Sequence, residues 1–187
     1  AYDVCDTSAK YGITENGASQ SAEFFARDLV VTEDENLGLE KTTERVAEAA
    51  GVFLTSKKEA VYKKNIFEKL YPASTTKILT AYVALKNGNL DDVVTVSANA
   101  ANQASDSSVC ELKEGDKITL RDLLYGLMLR SGNDAAVAIA EHISGSSEEF
   151  VVLMNAEAKA LGATGSHFVT PNGLHDEEHY STVYDMY

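Results

Sequence analysis

The chain has 187 residues, 44 % of them hydrophobic, with a formal charge of −13. That apolar content supports a real core, in a length that suits one domain or a domain with a tail. The acidic balance excludes nucleic acid as a partner, and docking on anionic lipid through this part of the chain; no run is apolar and long enough to span a bilayer.

Residues 1–41 are acidic and rich in Ser, Thr, Gly and Asn, with Glu33, Asp34, Glu35 and Glu40 crowded at one end. Phe24, Phe25, Leu29, Val30 and Val31 suit a short helix or a strand, but no period is sustained. This reads as an N-terminal extension, partly ordered at best and without chemistry. The remainder, 42–187, reads as one domain. No leader-like segment opens the sequence, so an exported protein would be seen here in mature form. The two cysteines, Cys5 and Cys110, are too few for a disulfide framework and read as unrelated thiols rather than a bridge.

A helix is predicted over Thr43–Ala50, broken by Gly51. Val52–Thr55 and Ala60–Lys63 are predicted strands around a turn at Lys57-Lys58-Glu59. Residues 65–70 connect to Tyr71-Pro72-Ala73-Ser74-Thr75-Thr76-Lys77, where Pro72 keeps Tyr71 extended. From about Ser74 the pattern turns helical, with Ile78, Leu79, Tyr82 and Leu85 on one apolar stripe. Asn87-Gly88 suits a left-handed stop. Val93–Val96 is a strand, 97–108 a mixed helix and loop, and Glu114-Gly115-Asp116 a turn into extended Lys117-Ile118.

Thr119, with Asp122 three residues on, is an N-cap for a buried helix bearing Leu120, Leu123, Leu124, Leu127 and Met128. Ser131-Gly132-Asn133-Asp134 joins it to a second apolar helix that Gly145 ends. Ser146 or Ser147 caps a third, with Phe150, Val151, Met154, Ala158 and Leu161 on its face. Pro171-Asn172-Gly173 is a strong turn, and Ser181 or Thr182 caps a last helix with Asp185 in its first turn.

Two of these places suit nucleophilic catalysis. Ser74 and Lys77 lie one turn apart on the same helix face. A serine hydroxyl needs a base, and a lysine serves if burial or nearby charge lowers its pKa. The helix N-terminus adds backbone N–H groups for a developing oxyanion. Ser131 and Asn133, at a junction between helices, could relay a proton and bind a carbonyl or hold Lys77. Taken alone, Ser74 could be a helix cap, Lys77 a surface lysine and Ser131-Gly132-Asn133 a capped turn. The two motifs in combination favour the catalytic reading.

These residues resemble the low-molecular-mass, penicillin-binding serine D-alanyl-D-alanine carboxypeptidases. The likeness runs from about Val46 to the end and rests on residues 71–77, 122–128 and 131–136, with Phe150, Met154-Asn155, Leu161-Gly162, 171–174 and 179–182 in support. It implies an α/β (α+β) β-lactamase/transpeptidase-like fold, an antiparallel sheet flanked by helices with a helical subdomain, the site lying between them. It implies Ser74 as acylated nucleophile, Lys77 as base, Ser131 as proton relay, and Asn133 with Gly132 as substrate-binding residues. The implied partners are a peptidoglycan stem peptide and β-lactams, without cofactor or metal.

The family's third motif, Lys-Thr-Gly or a relative on a later strand, does not occur here. The resemblance therefore implies a chain continuing past Tyr187, a sheet incomplete in this piece, and a poor or inactive catalyst if the piece stands alone. It also implies export to the outer face of the cytoplasmic membrane or the cell wall, with a C-terminal anchor as the only route to a membrane. A class A β-lactamase would need a Glu-x-x-Leu-Asn pattern after the second motif, which is absent; a non-catalytic penicillin-binding homologue would not need all four polar residues. A metal site from His167, His175 and His179 is disfavoured by their loop context, which suits one loop-ordering histidine, His167, and two exposed ones.

Overall fold

The structure, a computed structural model, describes residues 29–39 and 46–187. Two compact units share the chain, one built from the segments around 46–69, 160–165 and 182–187, the other from 70–159 and 166–181.

In the first unit, β1 (Ala50–Leu54) and β2 (Glu59–Lys64) form an antiparallel hairpin. Lys58 turns it at φ 56. The predicted helix over Thr43–Ala50 falls partly outside the described residues. Its remaining positions 46–49 are not helical, and Ala50 opens β1 opposite Lys64. Pairing with β2 here overrides the helix preference of an Ala- and Glu-rich run.

Residues 29–39 are tied to this unit rather than loose. Leu37 and Lys63 exchange both backbone hydrogen bonds at 3.0 Å. Lys63 Nζ donates to Thr32 Oγ1 at 2.8 Å and to the Glu33 carbonyl at 2.6 Å. Val30 is fully buried, and its carbonyl accepts from the Tyr184 hydroxyl at 2.7 Å. One apolar side chain and an open strand edge outweigh the acidic composition. The short α-helix closing this unit, Val183–Met186, has Thr182 as its cap, one of the two candidates, Ser181 and Thr182, that the sequence offers. Tyr187 from its end stacks on Phe53, ring centroids 4.2 Å apart.

The second unit begins with a 3-10 turn, Ala73–Thr75, that runs into α1 (Thr76–Asn87). Then come β3 (Val93–Thr95), α2 (Ala98–Ala101), β4 (Lys117–Thr119), α3 (Leu120–Leu129), α4 (Asn133–Ser144) and α5 (Ser147–Ala160). β3 and β4 pair antiparallel, Val94 opposite Ile118. The four strands thus form two separate ladders among the described residues. α4 lies at the centre, with Ala135, Ala136, Ala138, Ile139 and Ala140 buried. α1, α2 and α3 all pack on it.

α1 is rotated away from the predicted face. Its buried side carries Thr76, Lys77, Thr80, Ala81, Val83 and Ala84, while Ile78, Tyr82 and Leu85 are exposed. Small residues let α1 approach α4 closely, and the buried polar groups have partners: Thr80 Oγ1 donates to the Pro171 carbonyl at 2.6 Å. The helix also stops differently. Gly88 is extended at φ −109, and the Asn87 side chain donates back to the Val83 carbonyl at 2.8 Å. In α3, Leu120, Leu123 and Leu127 are buried, but Met128 is exposed. In α5, Phe150, Met154 and Ala158 are buried; Leu161, expected on the same face, lies just past the helix end and is exposed.

Thr119 caps α3 as predicted. Its Oγ1 accepts from Asp122 N at 3.1 Å and donates to Asp122 Oδ2 at 2.7 Å. Thr119→Ala is expected to cost about 1 kcal/mol, read as a lower denaturant midpoint with an unchanged slope.

Candidate active site

The approach to Ser74 is a strained bend. Ala73 adopts φ 48, a left-handed conformation that a β-carbon disfavours. The bend is closed by Thr75, whose N–H reaches the Pro72 carbonyl at 3.1 Å. Across from it sits Gly173, at φ 82, so close that a β-carbon there would lie 1.9 Å from the Ala73 carbonyl oxygen. The result is an exposed Ser74 one turn above a buried Lys77.

The junction between α3 and α4 is built similarly. Ser131 is left-handed at φ 56, and Gly132 extends into the N-terminus of α4. A β-carbon on Gly132 would meet Cys110 Sγ at 2.5 Å and Asp134 Oδ1 at 2.8 Å, so the turn needs a residue without one. Asp134 anchors the neighbouring loop. Its buried carboxylate accepts from Cys110 N at 2.9 Å, Leu112 N at 3.0 Å and Ala135 N at 2.8 Å. A carboxylate at a helix N-terminus is also favoured by the helix dipole. Asn133 N donates to the Ser108 carbonyl at 2.8 Å, which fixes the start of α4.

Four sequence-predicted residues meet here. Ser131 Oγ donates to Ser74 Oγ at 2.9 Å. Lys77 Nζ lies 3.1 Å from Ser74 Oγ and 2.8 Å from Asn133 Oδ1. A third partner, unseen in the sequence, is the Asn172 carbonyl at 2.8 Å. It comes from the Pro171-Asn172-Gly173 turn, and being a backbone atom it leaves no mark on residue type. All of these partners are neutral. Lys77 is almost fully buried, and burial pushes its pKa below the ordinary lysine value. A neutral amine has two N–H bonds and one lone pair. When the amine is deprotonated and its two N–H groups stay on Asn133 and Asn172, the lone pair faces the serine. Such an amine can accept the Ser74 proton, and Ser131 can carry a proton onward.

The histidines do not converge. His167 Nδ1 contacts the Glu178 carbonyl at 2.6 Å, and His175 packs edge-on to Tyr71 with centroids 4.4 Å apart. His179, expected to be exposed, is buried and bonded to Thr76, because its ring satisfies polar groups inside the unit. Among the described residues no three His, Cys, Asp or Glu side chains are grouped to hold a metal. Asp176 is half-buried, and Glu177 and Glu178 are exposed. Cys5 lies outside the described residues; Cys110 is a free thiol whose pKa burial pushes up, with the nearby Asp134 carboxylate adding to the rise.

The chain belongs to the D-alanyl-D-alanine carboxypeptidase family, whose model matches residues 39–187. It is 42 % identical over 153 residues to the D-alanyl-D-alanine carboxypeptidase DacF of Bacillus subtilis, covering 78 % of this chain and 39 % of that one. Among solved structures, the D-alanyl-D-alanine carboxypeptidase DacD from Francisella tularensis matches with TM-score 0.71 and 35 % identity, over 95 % of this chain and 40 % of that one. Penicillin binding protein 5 from Haemophilus influenzae matches with TM-score 0.65 and 40 % identity, over 68 % of this chain and 39 % of the other. The fold is that of the penicillin-binding proteins, with the antiparallel sheet of the expected class represented by its short ladders. The chain spans well under half the length of these relatives.

Proposed function

We propose that the protein is a serine D-alanyl-D-alanine carboxypeptidase that removes the terminal D-alanine from peptidoglycan stem peptides and is acylated by β-lactams. The reading is supported by one observation above all: the Ser74 hydroxyl lies within hydrogen-bond distance of both Lys77 Nζ and Ser131 Oγ. Ser74 Oγ attacks the carbonyl of the penultimate D-alanine as Lys77 takes its proton. The tetrahedral oxyanion forms near the N-terminus of the 3-10 turn and α1, where backbone N–H groups favour negative charge. Ser131 passes a proton to the departing amine, the peptide C–N bond breaks, and D-alanine leaves. Water then attacks the ester carbonyl, losing its proton to the regenerated base, and the Ser74–acyl bond breaks to return the hydroxyl. Asn133 holds Lys77 by its amide oxygen and has an N–H₂ group to offer a substrate carbonyl.

Peptidoglycan lies outside the cytoplasmic membrane, so this substrate implies an extracytoplasmic protein, with cell-wall trimming and cell shape as its setting. Among the described residues no helix is long and apolar enough to cross a membrane.

The test is labelling of the full gene product by a fluorescent penicillin, together with D-alanine release from a D-Ala-D-Ala peptide. Wild-type protein is expected to form a long-lived covalent adduct and to release D-alanine. Ser74→Ala is expected to do neither. An adduct that persists in Ser74→Ala would overturn the assignment, and rapid penicillin hydrolysis would point to a β-lactamase.

A further inference from the structure

His179 is almost fully buried, yet every ring nitrogen has a polar partner. Its Nδ1 receives the N–H of Val169 at 3.0 Å and of Thr170 at 3.3 Å. An atom that accepts two backbone N–H groups carries no proton, so the ring is the neutral tautomer with its proton on Nε2. Nε2–H then donates to Thr76 Oγ1 at 2.8 Å. Thr76 directly precedes Lys77.

The loop held at Nδ1 is the one that reaches Lys77. Phe168, edge-on to the His179 ring at 5.5 Å, is pinned to α5 by Asn155, which donates to its carbonyl at 2.8 Å and accepts its N–H at 2.9 Å. Next in the chain, Val169 and Thr170 bind the ring, the Pro171 carbonyl binds Thr80, and the Asn172 carbonyl binds Lys77. One imidazole therefore clamps the helix turn of Lys77 to the loop that supplies its acceptor.

We propose that His179 is a positioning residue for Lys77, tying Thr76 to the 169–172 loop so that the Asn172 carbonyl and the amine stay in register. This rests on the assignment of Lys77 as the base. An apolar ring would fill the same volume but leave the loop N–H groups and the Thr76 hydroxyl unpaired. The groups facing the imidazole are Thr76 on α1, with Lys77 beside it, Phe168, His167 and Asp176. Burial, the largest influence, pushes the His179 pKa down; Asp176 opposes this and His167 adds to it. The ring is thereby kept in the neutral form that the clamp needs.

The experiment is pre-steady-state acylation of the full gene product by penicillin, separating initial affinity from the acylation rate constant. His179→Asn keeps an acceptor near Nδ1 and removes the donor to Thr76. His179→Gln keeps a donor near Nε2 and removes the loop acceptor. Thr76→Val deletes only the hydroxyl, and carries the test alone if the His179 variants do not fold. Each is expected to slow acylation by about 10- to 100-fold, with affinity changed less than about threefold. The Thr76→Val/His179→Asn double variant is expected to be no slower than the slower single, because one bond is lost in both. Rate constants within about twofold of wild type, losses that multiply, or a loss confined to affinity would each overturn the proposal. Titration of Lys77 Nζ by NMR reads the clamp without turnover. It should move in His179→Asn, and an unmoved titration would overturn the clamp. A wild type that penicillin never acylates, with that titration still moved, would instead overturn the functional assignment and support the clamp.

Discussion

Lys77→Met is expected to slow acylation of Ser74 by about 10²–10⁴-fold, the usual contribution of a positioned base. Methionine fills a similar volume, so Ser74, Ser131 and Asn133 keep their places while the proton acceptor is gone. Lys77→Arg is expected to fail as well, because a guanidinium does not give up its proton. In the wild type, acylation should rise with pH as the amine deprotonates, with a midpoint below that of an ordinary lysine, since burial disfavours the charged form. Stability follows the same sign. Between the lowered native pKa and the unfolded value, the unfolded chain binds more protons, so stability rises with pH. Lys77→Met should flatten both slopes, and stopped-flow acylation with denaturant titration across the pH range reads them. An acylation limb that survives in Lys77→Met would assign the base to another group.

Gly173→Ala is expected to cost about 2–5 kcal/mol of stability through strain and overlap combined, and to slow acylation with it. The new β-carbon would lie 1.9 Å from the Ala73 carbonyl oxygen and 2.5 Å from its carbon, in a residue at φ 82. Both obstacles are backbone, so no side-chain rotation relieves them. The loop must lift, and the Asn172 carbonyl lifts away from Lys77. Gly115→Ala separates the two causes. Gly115 has φ 86 but nothing within 4 Å of the added carbon. It should lose only the conformational part, about 1–2 kcal/mol. Thermal denaturation of the two variants side by side checks the difference, and equal losses would mean that the close approach at Gly173 is not tight.

Much of this architecture can be read from residue types. Periodic leucines mark α3, Thr119 and Thr182 mark helix starts, and the two polar motifs mark the places where hydroxyls meet the amine. What residue types do not reveal has physical reasons. The α1 stripe of Ile78, Tyr82 and Leu85 is the more apolar face, yet the helix turns inward the face that brings Lys77 to its partners and lets alanines meet α4. The strand at Ala50 depends on β2, a contact outside any local window. The acceptor at Asn172 is a carbonyl, which every residue possesses, and the burial of His179 depends on a partner, Thr76, distant in sequence. The docking of 29–39 depends on the buried side chain of Val30 and on backbone pairing of Leu37 with Lys63, a contact outside any local window.

Ala73 and Ser131 both bend the backbone the left-handed way without being glycine, one just before Ser74 and one at the second serine itself. The left-handed region open to a residue with a β-carbon is small, so the backbone beside either hydroxyl has few other conformations to adopt. Part of the ordering of this backbone is therefore already done when the chain folds, before anything binds beside the two serines.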